Sequence, residues 1–322
     1  MTKFQHIHPD FRYVMDMSDE QRIQFLLEPR WIGYPAAFQI LDTLRGLLTT
    51  PTRPRMPNLL IIGDSNNGKT TIVRRFFELH GQGYVNAQAE PVKPVILAEA
   101  PPSADEKALY ISILESFWAP YRASDSTAKL RYQVVHMFRS CHVRLLIIDE
   151  FHSLLTGSAI KQREVMNALK TLCNILAIPI VGVGTTDAIR VLHTDPQHAS
   201  RFDVMTLRKW ELDQVFQRLI NSFESILPLR EASELRKPET AGLLHSISGG
   251  NTGDLHRLLM ECAKHAISTG TEKITKGIIE KHAWVKPKVQ RITDIASSLR
   301  QTILCLKVDF SLLSKTFFAL WQ

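Results

Sequence analysis

The sequence predicts an α/β fold, a phosphate-loop core on a five-stranded parallel sheet followed by an all-helical C-terminal lid. Three observations predict it. A complete phosphate-loop pattern follows a short apolar run, a second apolar run ends in paired carboxylates, and strand-like runs alternate with helical periodicity until about residue 210, beyond which only helical periodicity remains.

The first observation is the stretch Leu59–Thr71, LLIIGDSNNGKTT. Gly63, Asp64, Ser65, Asn66, Asn67, Gly68, Lys69 and Thr70 fill G-x-x-x-x-G-K-[ST], with a strand-like run before them and the helically spaced Ile72, Val73, Phe76 and Phe77 behind. The two glycines let the backbone curl so that its N–H groups converge on phosphate oxygens, and the helix start adds its partial positive charge. Lys69 then reaches the β- and γ-phosphates, Thr70 is the expected Mg²⁺ ligand, and Thr71 completes the nucleotide-binding set. The alternative, an accidental glycine-rich turn, lacks a reason for the strand and helix on either side.

The second is LLIIDE, Leu145–Glu150, an apolar run that delivers two carboxylates to the carboxyl end of a buried strand. An N-capping pair would look the same in isolation. About 80 residues beyond a phosphate loop it reads as the Walker B element, with Asp149 on Mg²⁺ and Glu150 orienting or deprotonating the attacking water.

The third is the order of elements. Residues 1–30 give no strong signal, and His6 and His8 read as exposed or capping histidines because no third ligand lies at useful spacing. Residues 31–48 have the 3-4 rhythm of an amphipathic helix, ended by PTRPRMP at 51–57. Strands are expected at 59–62, 95–98, 145–148, 179–184 and 204–207, with helices over 105–118 and 161–176. The polar segment Tyr121–Arg131 reads either as a solvated loop or as a nucleic-acid contact surface. IPIVGVGTT ends in two threonines that either touch the γ-phosphate or cap a helix; Thr185 is the candidate and Thr186 its alternative. From residue 211 helices are expected over 211–224, 239–247, 252–268 and 275–283. The expected division is an N-terminal extension at 1–55, an ATPase core at 56–210, a lid at 211–288 and a packed or partner-bound tail at 289–322.

With 322 residues and 44% hydrophobic content, the chain is long and apolar enough for a real core. A net charge of +7 makes an acidic partner such as nucleic acid plausible but weakly so. Cys141, Cys173, Cys262 and Cys305 lie too far apart for a C-x-x-C metal site and read as reduced thiols. No apolar run approaches the ~18 residues that span a bilayer. A cytoplasmic protein without a membrane partner is the expectation.

A phosphate-loop core with a trailing helical lid resembles an AAA+ ATPase. The phrases WIGYPAA at 31–37, RMPNLLIIGDSNNGKTTIVRRF at 55–76, LLIIDEFHSLLTGS at 145–158, IPIVGVGTTDA at 178–188, SRFDVMTLRKW at 200–210, LPLR at 227–230 and GGNTGDLHRLL at 249–259 narrow it. Together they resemble the TniB/TnsC family of transposition regulators over roughly residues 25 to 285.

The resemblance implies an ATP- and Mg²⁺-dependent regulator that does not cut DNA. It implies assembly as a ring or filament of identical subunits on duplex DNA, without base-sequence preference, and coupling of target-site selection to transposase recruitment. A TniQ-type targeting protein is the implied partner, in some members as part of a CRISPR effector complex. Arg201 matches the arginine finger that completes a neighbour's site, against the alternative of a salt bridge closing the last strand. In the lid, the AAA+ resemblance implies a nucleotide-sensing arginine fourth in a G-D-x-R phrase; here Gly253-Asp254-Leu255 lead to His256, with Arg257 one step on, rotated by about 100° on a helix, and either of the two is the candidate sensor. DNA contacts are assigned to Lys107, Arg122, Lys129 and Arg131, from the basic surplus after the second strand and the family habit of lining the ring there. Two other readings compete: a helicase loader of the DnaC/IstB type, which lacks the WIGYPAA and LPLR phrases, and a signalling or defence NTPase that never touches DNA.

Overall fold

The computed structural model describes residues 4–192 and 201–283. Its centre is a parallel sheet of five strands, β1 (Asn58–Gly63), β4 (Val95–Glu99), β5 (Leu145–Asp149), β6 (Ile180–Gly184) and β7 (Phe202–Leu207). The order is β4-β5-β6-β1-β7. All five expected strands are present, and the two motif strands β1 and β5 flank β6. The loop after β1 and the carboxylates of β5 therefore emerge at the same edge of the sheet, on either side of the Thr185 strand.

Alternation within the strands covers both faces. Leu60 and Ile62 of β1, Ile96 of β4 and Leu146 and Ile148 of β5 join one buried cluster. The helices α4 (Glu106–Glu115), α5 (Thr127–Ser140) and α6 (Ala159–Leu176) complete that cluster. The other face meets α3 (Lys69–His80), which lies against β1, β4 and β6 with Ile72, Val73 and Phe76 buried. Each such side chain taken fully out of water contributes about 1.5–3 kcal/mol, which holds the sheet rigid beneath the loops. The edge strand β7 departs from the covered pattern, for Asp203, Val204 and Thr206 are exposed.

Three parts differ from the sequence expectation. Residues 121–131 are not one solvated loop: Ser126 caps α5 by accepting from the Lys129 N–H, and Leu130, Val134 and Phe138 bury one face. The charges of the first turn hid that apolar spacing. Residues 4–30 are ordered into a 3₁₀ turn over Pro9–Asp16 and α1 (Asp19–Leu27). A capping box of Ser18 and Gln21 starts α1, a signal present in the sequence. A short antiparallel hairpin, β2 (Tyr84–Val85) and β3 (Pro91–Val92), lies between α3 and β4.

Beyond β7 the chain is helical: α8 (Gln214–Glu224), α9 (Pro238–Ser248), α10 (Thr252–Ser268) and α11 (Lys276–Lys281) form a bundle, with α7 (Ile189–Leu192) a short turn before β7. The N-terminal segment joins the bundle to the core, because α1 packs on α10 whereas α2 (Pro35–Thr49) packs on α3. Arg22, fully buried, anchors the first contact, donating to the Pro228 carbonyl at 2.9 Å and to Glu272 at 2.6 and 2.8 Å. That gives the LPLR phrase its structural use. The expected tail at 289–322, the lid residues 284–288 and Cys305 lie outside the described residues. Among the described residues, Cys141, Cys173 and Cys262 are free thiols, and no helix is long and apolar enough to cross a membrane.

Candidate functional site

Gly63 ends β1 where a Cβ would stand 2.6 Å from the Leu207 carbonyl of β7, so the close strand approach needs glycine. The loop turns through Asn66 (φ 60°) and Gly68 (φ 88°), both left-handed, and α3 begins at Lys69. Lys69 is buried, and its Nζ donates to the carbonyls of Gly63 at 2.9 Å and Asp64 at 2.7 Å. Burial lowers its pKa, and the nearby Asp149, Glu150 and Asp64 pull the other way. A cation is thus held beside a curl of backbone N–H groups. Asp64 also meets Lys209 at 3.2 Å.

Asp149 closes β5, and its Oδ1 accepts the Glu150 N–H at 2.8 Å. Glu150 sits in the left-handed region (φ 53°), a conformation that costs a non-glycine residue about 1–3 kcal/mol and collects at functional sites. Thr185 occupies the cap position of a 3₁₀ turn, yet its hydroxyl makes no capping hydrogen bond. It lines the same cavity as the loop and the carboxylates, and Thr186 does not.

That cavity measures about 470 Å³, within the ~300–1,000 Å³ usual for small-molecule sites. The core contributes Ser65 to Ile72, Asp149, Glu150, His152, Gly184 and Thr185. The linker between α1 and α2 contributes Arg30, Trp31, Ile32 and Tyr34, and the bundle Phe223, Thr252, Gly253 and His256. His256 stands at the rim, 5.9 Å from the Phe223 ring, with its pKa lowered by desolvation. Arg257, one step on, is not among the lining residues. For a nucleoside triphosphate the fit is good: a glycine curl, a buried lysine and an apolar end beside Ile32. The Thr70 hydroxyl and the Asp149 carboxylate, both in the wall, are the oxygen donors a hard cation such as Mg²⁺ prefers.

A set of contacts that the sequence does not announce ties the helical bundle to the phosphate loop. Asn251 caps α10 and donates to the Ser65 carbonyl at 2.9 Å. Asn66 donates to Asp254 at 3.1 Å. Asn67, buried, donates to the carbonyls of Leu207 and Arg208 and accepts from the Thr252 N–H at 3.2 Å and hydroxyl at 3.1 Å. Trp210 donates its indole N–H to Thr252 at 2.9 Å, and its ring meets Tyr34 edge-on at 5.0 Å. The Tyr34 hydroxyl is buried and, among the described residues, has no aligned hydrogen-bond partner; it lies 3.6 Å from where a Gly68 Cβ would be. Burial pushes its pKa up to about 12, against a smaller opposing pull from the Thr252 hydroxyl, which Trp210 and Asn67 already engage. Sequence spacing gives no warning of such contacts, although the WIGYPAA and GGNTGD phrases contain them.

Arg201 lies elsewhere. Its carbonyl accepts the Asn58 N–H at 3.1 Å, at the amino edge of β1, and its guanidinium donates to Asn174 at 3.0 Å. Six residues of β1 separate it from the loop, about 20 Å at strand rise. It does not line its own chain's cavity, and among the described residues it forms no ion pair. The four basic residues assigned to DNA share one corner of the core. Lys107 donates to the Ala123 carbonyl at 2.7 Å, Lys129 pairs with Asp125 at 2.6 Å, and Arg122 and Arg131 are exposed.

A sequence model described as Bacterial TniB protein matches residues 22–212, more than half of the chain. Comparison with curated protein sequences finds no match. Among solved structures, the Aeropyrum pernix ORC2 protein in its ADPNP-ADP complexes superposes with a TM-score of 0.59 at 14% identity, covering 81% of this chain and 71% of that one. CDC6P from Pyrobaculum aerophilum gives 0.57 at 19% identity, covering 80% and 69%. The Aeropyrum pernix ORC1 protein in complex with DNA gives 0.53 at 15%, covering 81% and 68%. At these identities the likeness concerns the fold. Taken with the phosphate loop and the β5 carboxylates gathered on one cavity, the family match means that the chain belongs to the TniB family and is an AAA+ ATPase.

Proposed function

We propose that the chain is an ATP-dependent regulator of DNA transposition that assembles on duplex DNA and carries the chosen target site to the transposase. The observation that carries this reading is the position of Arg201, about 20 Å across the sheet from its own cavity. A cation so far from its own phosphate loop suits the site of a neighbouring copy, so hydrolysis and assembly become one event. The TniB family match and a structural neighbour whose description places it on DNA support the nucleic-acid part.

In this reading residues 1–55 are an extension, 56–210 the ATPase core and 211–288 a lid. Lys69 and the loop N–H groups hold the β- and γ-phosphates, and Thr70 with Asp149 would hold Mg²⁺. The metal, when bound, supplies charge neutralisation at the phosphates. Glu150 orients the attacking water and accepts its proton, Thr185 fixes the position of that water or of the γ-phosphate, and Arg201 of a neighbouring copy stabilises the charge that develops on the transferred group. His256 takes the lid's sensing position in place of Arg257. Lys107, Arg122, Lys129 and Arg131 face duplex phosphates without reading bases. The remaining partners are the transposase and a TniQ-type targeting protein, alone or within a CRISPR effector complex.

Negative-stain imaging of the purified chain with ATP and duplex DNA tests the reading. Rings or filaments that need both are expected. Binding to a hexameric helicase instead would assign a loader, and ATP turnover and assembly indifferent to DNA would assign a signalling switch.

A further inference from the structure

The carboxylate of Glu150 has a neighbour of its own. His152 presents Nδ1 at 3.3 Å from Glu150 Oε2, within ion-pair distance but without hydrogen-bond alignment. That nitrogen is buried and has no hydrogen-bond partner among the described residues. The residue is fixed from behind: it lies in the 3₁₀ turn Phe151–Leu155, and a Cβ on Gly184 would stand 3.1 Å from its backbone nitrogen and 3.5 Å from Nδ1. The end of β6 is therefore packed closely against the turn that carries His152, with Ala188 Cβ also 2.9 Å from such a Cβ. All three side chains line the nucleotide cavity.

We infer that His152 is a positioning residue for hydrolysis, its Nδ1–H holding the Glu150 carboxylate in the orientation from which it takes the proton of the attacking water. A buried Nδ1 left unpaired is unfavourable, and a small rotation of the Glu150 side chain brings the pair into alignment. Glu150 is itself the left-handed residue that follows β5, at φ 53°, and among the described residues the one ion-pair contact to its carboxylate is His152. A hydrogen bond from His152 Nδ1–H fixes the direction of that carboxylate. In this arrangement the imidazole exchanges no proton with water; it donates one hydrogen bond to a carboxylate that does the chemistry. The inference rests on the proposed role of Glu150 and adds a residue to it.

Substitution by shape tests the idea, because an asparagine amide nitrogen falls near the position of Nδ1 whereas that of glutamine falls near Nε2. Steady-state ATP hydrolysis by the full chain on duplex DNA is measured for His152→Ala, His152→Asn and His152→Gln, with nucleotide affinity followed by a fluorescent ATP analogue and folding by thermal melting. His152→Ala and His152→Gln are expected to lower kcat about 10- to 100-fold, with KM and nucleotide affinity within about twofold of the parent; His152→Asn should recover kcat to within about threefold. A kcat for His152→Ala within about threefold of the parent overturns the inference, as does His152→Asn falling as far as His152→Ala, or a parallel loss of nucleotide affinity. In a Glu150→Gln background, adding His152→Ala should change the residual rate by less than about twofold, and a further multiplicative loss also overturns it. If Glu150→Gln alone turns over at the parent rate, the role given to Glu150 fails and that of His152 with it; a dead Glu150→Gln beside an active His152→Ala removes only the second.

Discussion

Gly253 donates its backbone N–H to the Asn66 carbonyl at 2.9 Å, and a Cβ at that glycine would stand 2.5 Å from the same oxygen. The first turn of α10 thus rests directly on the phosphate-loop backbone, with the Asn66 side chain packed beside the contact. Gly253→Ala must push bundle and loop apart, loosening the bonds that Asn251, Thr252 and Asp254 make beside it. ATP affinity is expected to fall about tenfold, equivalent to about 1.4 kcal/mol, as read by calorimetric titration. Gly277→Ala is the control, since nothing lies within 4 Å of an added Cβ there, and it should leave ATP affinity at the parent value.

Lys69 and Glu150 separate binding from turnover. Lys69→Ala removes the buried cation that spans the loop carbonyls, and is expected to abolish both ATP binding and assembly on DNA. Glu150→Gln keeps the shape of the side chain while removing its basicity. It should retain nucleotide, stop phosphate release and leave assemblies long-lived in time-resolved negative-stain images. Assemblies that dissolve at the parent rate would remove Glu150 from its assigned role.

The buried pair Arg22–Glu272 makes stability depend on pH. Burial works to raise the Glu272 carboxyl pKa, but the Arg22 guanidinium, the Arg230 N–H and the Arg230 charge outweigh it, leaving the group below its ordinary value of 4.5. The folded chain therefore holds that proton less tightly than the unfolded chain. Its contribution is complete above about pH 4.5 and disappears as pH falls through the lower folded value. Glu272→Ala should cost about 3 kcal/mol at neutral pH, because Arg22 is left buried with Asp19 as its one charged partner among the described residues. It should also flatten the acid limb of the melting-temperature profile. An unchanged acid limb would mean that the pair does not govern it.

The basic corner makes a prediction about salt. Arg122 and Arg131 are exposed, whereas Lys107 is occupied by the Ala123 carbonyl and Lys129 by Asp125. If the first two meet duplex phosphates, Arg122→Ala and Arg131→Ala should each reduce the slope of log affinity against log salt by about 1. Affinity should fall equally on unrelated sequences. A loss confined to one sequence would mean base readout instead.

Much of this molecule was legible in the chain because continuous apolar runs leave little choice. LLII before the loop and LLII before Asp149 and Glu150 are buried throughout, and a four-residue run with no polar alternation, half of it β-branched and closed by a glycine or by carboxylates, is too short for a helix and suits a strand buried on both faces. The α5 start was less legible, since Lys129 and Arg131 flank Leu130 and broke the pattern that Val134 and Phe138 continue. The bundle-to-loop contacts were not legible at all. Asn251 and Ser65 are 186 positions apart, and the bond uses a backbone carbonyl that any residue possesses. Tyr34 is the intermediate case: its phrase stood out, but its place beside Gly68 required α1 to be pinned to the bundle and α2 to the core.

Arg201 gives the sharpest test of a shared site. Two defective chains can restore one another only if the nucleotide is enclosed by residues of both. Arg201→Ala keeps a sound phosphate loop and carboxylate pair but offers its neighbour no arginine. Glu150→Gln cannot activate water but still presents Arg201. When the two are mixed on duplex DNA, the interfaces that join an Arg201→Ala loop to a Glu150→Gln arginine are intact. Neither variant alone should hydrolyse ATP appreciably, since loss of such an arginine costs about 10³-fold or more, whereas the mixture should regain about a quarter of the parent rate if copies assort at random. The arginine's hydrogen bond to Asn174 at 3.0 Å provides a control. If Arg201 merely braces β7 against α6, Asn174→Ala should reproduce the Arg201→Ala defect, and mixing should restore nothing.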